Sequence, residues 1–384
     1  MNIDLTMLEG IETPFYYYDM NLLDRTLQAV TDAVAGRPVK VHYAIKANSN
    51  PAILKAVSSR GFGADVVSGG EIELALANGF DPKEISYAGV GKTDREIRLG
   101  LEKGIGCFNV ESVEELAIIG QIAADMGVKA PIALRVNPNI DAHTHHYITT
   151  GLEENKFGID MRLLGKALDA LELYPSLQLN GLHFHIGSQI TTADPFVLLC
   201  ERANSLITKV ESRGHKIKTV DVGGGFGVDY DDPDANPVPD FKKFVDVIVD
   251  NLNLDGGREV IIEPGRSLVC QCGSLISRVI YVKEGIGKKF VILDAGMNDL
   301  IRPALYGAHH KIENLSAAAD APVETYDVVG PICESSDTFA QAEPLPETHR
   351  GDFFALRSAG AYGEAMASRY NSRPAAKTVL SNKE

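Results

Sequence analysis

Short apolar strands punctuate the first two-thirds of the chain, and helical apolar spacing follows most of them. The strand patterns fall at 39–46, 63–68, 85–90, 107–111, 131–137, 181–187, 219–223 and 259–263. Between them lie segments such as Val113–Asp125, whose apolar residues recur at helical intervals. Eight strand–helix units in series predict an α/β fold, a (β/α)8 TIM barrel over residues 30–272. A doubly wound sheet is the alternative, but near-even units with polar residues at most strand ends favour the barrel. Beyond about residue 272 the texture changes: 274–282, 289–293 and 353–356 read as strands, with turns and few helical stretches. Residues 273–384 are therefore assigned to a mainly β domain. Residues 1–29 join it through a strand at Phe15-Tyr-Tyr-Tyr, ahead of a helix over 21–34.

Side chains alternate across a strand, so the apolar positions reveal which residues face the barrel interior. Val39, Val41, Tyr43 and Ile45 form one face, which puts Lys46 on the other with His42 and Ala44. Ile132, Leu134 and Val136 turn Arg135 and Asn137 inward, and Leu182, Phe184 and Ile186 do the same for His183 and His185. Asp65, Asp221 and Glu263 are inward by the same reasoning. A lysine at the last inward position of a buried strand is expected to have a lowered pKa, the state an amine needs to form a Schiff base. On this residue alone, a lysine that merely snorkels out at a strand end remains open. The gathering of Lys46, Asp65, Arg135, His185 and Glu263 at the C-terminal ends of the strands favours an active site there over a purely structural ion-pair network.

Charge and cysteine usage narrow the function class. A net charge of −15 argues against nucleic acid or anionic membranes as partners. No apolar run is long enough to span a bilayer, and the start shows no secretion signal, so a cytoplasmic enzyme is expected. Five cysteines, odd in number and mostly scattered, suit a reducing compartment. Cys270-Gln-Cys272 lacks a second pair or a nearby histidine and reads as packing, with no metal expected.

Two loops carry a phosphate signal. Gly223-Gly-Gly-Phe-Gly227 follows the seventh strand, where glycines let backbone N–H groups approach an anion. Gly265-Arg266 after the eighth strand adds a second backbone approach and a fixed cation. Phosphate between loops seven and eight, with a lysine on strand one, describes pyridoxal phosphate.

Tyr43-Ala-Ile-Lys46-Ala-Asn, His183-Phe-His-Ile-Gly-Ser188, Gly223-Gly-Gly-Phe-Gly and Glu263-Pro264-Gly-Arg266 resemble the alanine-racemase-like, fold-type III pyridoxal phosphate decarboxylases. The stretches Thr149–Gly158, Ile301–Tyr306, Cys333-Glu-Ser335, Gly360-Ala-Tyr-Gly363 and Asn371–Pro374 resemble those of the diaminopimelate decarboxylases. The likeness spans almost the whole chain, which is somewhat short at its C-terminus. It implies decarboxylation of meso-2,6-diaminopimelate to L-lysine and CO2 on pyridoxal 5'-phosphate. It further implies that Lys46 holds the cofactor, that Glu263 pairs with the ring nitrogen and that His185 stacks on the ring. Ser188, Gly223, Gly224, Gly225, Gly265 and Arg266 would grip the phosphate, with Asp65, Arg135, Pro264 and Tyr362 also in the cofactor site. Arg302 with Tyr306 would take the substrate's distal carboxylate and Glu334 its distal amine, alongside Arg266 and Tyr362. Cys333 would return the proton, from a loop that in the family reaches into the partner's site, so the implied unit is a homodimer. Ornithine/arginine-type and carboxynorspermidine decarboxylases on the same scaffold are the enzymatic rivals, separated by the substrate's distal end. A non-catalytic pyridoxal phosphate carrier is the rival of a different class, disfavoured by the retention of Lys46 and Cys333.

Overall fold

The computed structural model describes residues 10–140 and 156–381. Of the motif at 149–158, residues 149–155 lie outside the described residues, as do residues 1–9 of the N-terminal segment. The chain divides into two compact units, one of residues 27–227 and 240–265, the other of the residues up to Thr26, 228–239 and 266–384.

The first unit is the barrel. Parallel strands Val39–Ala44, Gly63–Val66, Ile85–Tyr87, Cys107–Val110, Ala130–Asn137, Leu177–His183, Thr219–Asp221 and Glu259–Ile262 pair in chain order, and the last returns to the first. Each strand is found where the apolar pattern predicts one, shorter at its C-terminal end in most cases because the chain leaves the sheet to form the mouth. The sixth departs most. It begins at Leu177 and ends at His183, so His185 sits in the loop beyond it. Val39, Val41, Tyr43, Leu134, Leu182 and Val220 are buried on the helix side, where helices such as Val113–Asp125 cover them. Ser68, Thr93 and Ser112 cap three of these helices by accepting an N–H from the first turn, each cap contributing about 1 kcal/mol. The caps start each helix directly behind its strand and keep the mouth loops short.

The second unit is a mixed sheet built around the long strand Gly273–Glu284. That strand pairs antiparallel with Phe15–Tyr18, Phe353–Leu356 and Lys289–Leu293. Phe15, Tyr17, Ile276, Phe353 and Ala355 form one of its cores. The strand at Phe15 pairs on its other side with Lys377–Leu380, near the C-terminus. Residues 228–239 leave the barrel sequence to join this unit, although apolar periodicity gave them no reason to.

Candidate active site

The first barrel strand ends at Ala44, whose N–H donates to the Pro264 carbonyl at 3.3 Å. The chain then turns through one turn of 3-10 helix, Ile45–Ala47. This corrects the expectation for Lys46, which is not an inward residue of a buried strand. It stands on the turn with its side chain 42% exposed. Strand alternation stops where the sheet stops, and Ile45 remains buried only because it tucks into the turn. Lys46 Nζ lies 3.3 Å from Oδ2 of Asp65, which is buried on the second strand beside Ala44. Burial pushes the Asp65 carboxyl up to about 6; Glu263 adds to the shift and Lys46 opposes it.

Parity is right deeper in the barrel. His183 and Asp221 end two neighbouring strands and Glu263 directly follows the next, and one side-chain nitrogen or oxygen from each lies within 4.8 Å of the others. His183 Nε2 is 3.3 Å from Glu263 Oε2. Burial alone would raise the Glu263 pKa, but the charge and hydrogen bond of His183, with help from Asp221 and Lys46, hold it well below the usual carboxylate range. Its other oxygen, Oε1, is buried with no hydrogen-bond partner. His185 is pushed down to about 3 by burial and by the nearby charges of Lys46 and Arg135, so it is a neutral ring at physiological pH. Arg135 donates to Glu111 at 2.6 Å and lies over the Phe157 ring. Glu111 also accepts the N–H groups of Gly89 and Gly158, tying three mouth loops together. The alternation that turned Arg135 inward would have found Glu111 too, since Phe108 and Val110 face the helices.

The glycine run is forced by close backbone packing. Gly223 has φ +68°, and a Cβ there would sit 2.5 Å from the Phe184 carbonyl oxygen. A Cβ on Gly224 would sit 2.0 Å from the carbonyl oxygen of Glu263. The N–H groups of Gly224 and Gly225 donate to no group among the described residues. Ser188 lies half-buried in the loop after strand six, and Gly265 packs its backbone on Ala44 and Ala47. Such a loop can cradle an anion.

In the second unit, Arg266 begins the short helix Arg266–Val269 and packs its guanidinium over the rings of Tyr362, 5.0 Å away, and Tyr230, 5.8 Å away. Arg302 opens the helix Arg302–Tyr306 and lies 4.9 Å over the same Tyr230 ring. Its Nη1 donates to His310 Nε2 at 2.7 Å, while His310 Nδ1 donates to the Arg357 carbonyl at 2.8 Å. His310 is thus the neutral tautomer with Nε2 as acceptor, and burial with the Arg302 charge pushes its pKa down to about 3. Arg302 is buried yet forms no ion pair with a carboxylate among the described residues. Tyr306 is half-buried at the end of the helix. Cys333 and Glu334 are exposed: the Cys333 N–H donates to Asn371 Oδ1, and Tyr370 Oη donates to Glu334. Cys270 and Cys272 are buried with their thiols on backbone carbonyls. Tyr230 and His310 escaped the reading of the sequence because both sit on irregular loops where no periodicity singles out a residue.

Comparison with known proteins matches the family described as pyridoxal-dependent decarboxylase, pyridoxal binding domain, over residues 20–270. A diaminopimelate decarboxylase of Bacteroides thetaiotaomicron is 52% identical over 373 residues, covering 97% of this chain and 96% of its own. A second, from Zymomonas mobilis, is 44% identical over 96% of this chain and 87% of its own. The crystal structure of diaminopimelate decarboxylase from Helicobacter pylori complexed with L-lysine superposes with a TM-score of 0.93 at 40% identity, covering 99% of this chain and 94% of that one.

Proposed function

This chain belongs to the pyridoxal-dependent decarboxylases, among the diaminopimelate decarboxylases, and we propose that it converts meso-2,6-diaminopimelate to L-lysine and CO2. The residues fit the cofactor. The barrel mouth offers an accessible lysine amine, a buried anionic carboxylate with one unspent oxygen, and a glycine loop with uncommitted N–H groups. Pyridoxal 5'-phosphate, when bound, supplies an aldehyde for an amine and a ring that accepts the electrons released as CO2 departs.

The chain's own residues do the rest. Lys46 would hold the aldehyde, with Asp65 3.3 Å from its amine to fix where that amine stands. Glu263, held ionised by His183, would face the ring nitrogen and hold a proton there. His185 presents an uncharged imidazole, so it adds no charge to the ring it serves. Gly223, Gly224, Gly225, Ser188, Gly265 and Arg266 would serve the phosphate, and Arg135, Pro264 and Tyr362 are the further cofactor-binding residues of this reading. Cys333 would return a proton to the carbon that loses CO2, and Glu334 would take the distal amine. Both are exposed on one loop, which suits delivery into a partner's site across a two-fold homodimer.

The observation that carries the choice of substrate is Arg302. It is a buried guanidinium oriented by His310 and Tyr230, without a carboxylate of its own among the described residues. A buried cation so prepared suits a substrate that brings a second carboxylate, and a diamine-forming enzyme has no use for it. Lysine release from meso-diaminopimelate by the purified holoenzyme tests the reading, with Lys46→Ala as the control. We expect turnover with diaminopimelate and none in the variant, together with loss of the borohydride-trapped cofactor on Lys46. Faster turnover of ornithine or arginine than of diaminopimelate would overturn it.

A further inference from the structure

The barrel has a second end. A cavity of about 250 Å³ lies among the strand starts, lined by Lys40, His42, Lys218 and Glu259 and, further in, by Asn109 and Asp221. Lys40 and Glu259 are both partly exposed, so this end reaches solvent. Asn109 and Asp221 are buried, and each has an orphaned side-chain atom, Asn109 Nδ2 and Asp221 Oδ2. One is a donor and the other an oxygen, beside a polar cavity roomy enough for water, which would satisfy both.

Asp221 also belongs to the cluster with His183 and Glu263. Its Oδ1 accepts the Gly223 N–H at 2.9 Å. Two buried carboxylates this close cannot both be ionised without strong repulsion, and a proton shared between them turns the contact into a hydrogen bond. Lys46, Asp65, His183 and His185 face this pair with their charges and dipoles.

From this geometry we infer that Asp221 is a positioning residue: a neutral carboxylic acid that donates its proton to Glu263 and exchanges it with solvent through the cavity at the N-terminal end of the barrel. Glu263 thereby stays anionic with Oε1 unspent, and its proton partner is supplied from the side opposite the mouth. The directions of titration agree. Burial and Glu263 push Asp221 well above the carboxylate range, while Glu263 itself is held low. The proton stays on Asp221 as a hydrogen-bond donor to Glu263 and exchanges only with water, so no oxidant or co-reactant is involved.

The inference rests on Glu263 serving the cofactor, but infrared difference spectroscopy reads the Asp221 proton whether or not the enzyme turns over. For the holoenzyme at neutral pH we expect the C=O stretch of a neutral buried acid, lost in Asp221→Asn and shifted in Glu263→Gln. The band should move in D2O before the slowest barrel amides exchange. Asp221→Asn keeps a donor towards Glu263, whereas Asp221→Ala does not. The alanine variant should therefore lose roughly ten- to a hundredfold more kcat than the asparagine variant and shift the pH titration of the cofactor's visible band. Absence of an Asp221-dependent neutral-acid band, or equal loss in both variants with an unmoved titration, would overturn the proposal. A band that stays unexchanged in D2O would overturn the route through the cavity.

Discussion

Replacing Arg302 by methionine isolates the contact on which substrate choice depends. Methionine keeps an unbranched stem of similar reach, so the packing against Tyr230 is largely retained while the guanidinium is lost. His310 Nε2 loses its donor, at a cost to folding of about 1 kcal/mol, which a protein of this size tolerates. The effect on substrate is larger. A charge-assisted hydrogen bond contributes about 1.5–3 kcal/mol, and a carboxylate held by a guanidinium uses two of them, so the loss is about 3–6 kcal/mol. At about 1.4 kcal/mol per decade, kcat/KM for diaminopimelate falls roughly a hundred- to ten-thousandfold. A distal carboxylate does not change on decarboxylation, so the loss falls mostly on KM with kcat little altered. Steady-state lysine formation measures both, and cofactor affinity measured separately should remain close to wild type. A kcat/KM within about threefold of wild type would refute the assignment. A fall in kcat at constant KM would place Arg302 at the reacting carbon instead.

Glu263→Gln should bind cofactor and fold normally yet lose kcat on the order of a hundredfold, because the amide cannot hold a proton on the ring nitrogen; an unchanged kcat would assign that task to another group. Mixing inactive Lys46→Ala with inactive Cys333→Ala chains should restore activity, since each heterodimer carries one site with both residues intact. Heterodimers that form but stay inactive would put both residues in one subunit's site. The pH dependence of stability should carry the signature of His310, which folding keeps neutral. Its contribution is fully present above the ordinary imidazole value of 6.5 and is lost as pH falls towards about 3. His310→Gln removes that loss, so between pH 7 and pH 4 wild type should lose about 2–3 kcal/mol more unfolding free energy than the variant. Parallel denaturation curves at the two pH values would show that His310 titrates normally.

Eight strands and their order were legible in the chain because alternation and helical spacing are local, and a barrel repeats the same local unit. Parity likewise placed His183, Asp221, Glu263 and Arg135 in the interior, since a strand offers a side chain only two directions. It failed at Lys46, two residues beyond the end of the strand at Ala44, where the chain turns into a 3-10 helix and the lysine stands exposed beside Asp65. Only the tertiary structure could show that Glu111, rather than a ligand alone, receives Arg135, or that Tyr230 and His310 hold Arg302. Those partners are far apart in sequence or sit on irregular loops, and nothing periodic links them. The protonation of Asp65, Asp221 and Glu263 was equally out of reach. Each carboxyl's charge depends on burial and on neighbours delivered by other strands, so neighbouring buried carboxyls end up with opposite shifts, Asp65 and Asp221 raised and Glu263 lowered. Residue type and period determine which groups enter the barrel, and the distances between them, set by packing, determine what charge each one carries there.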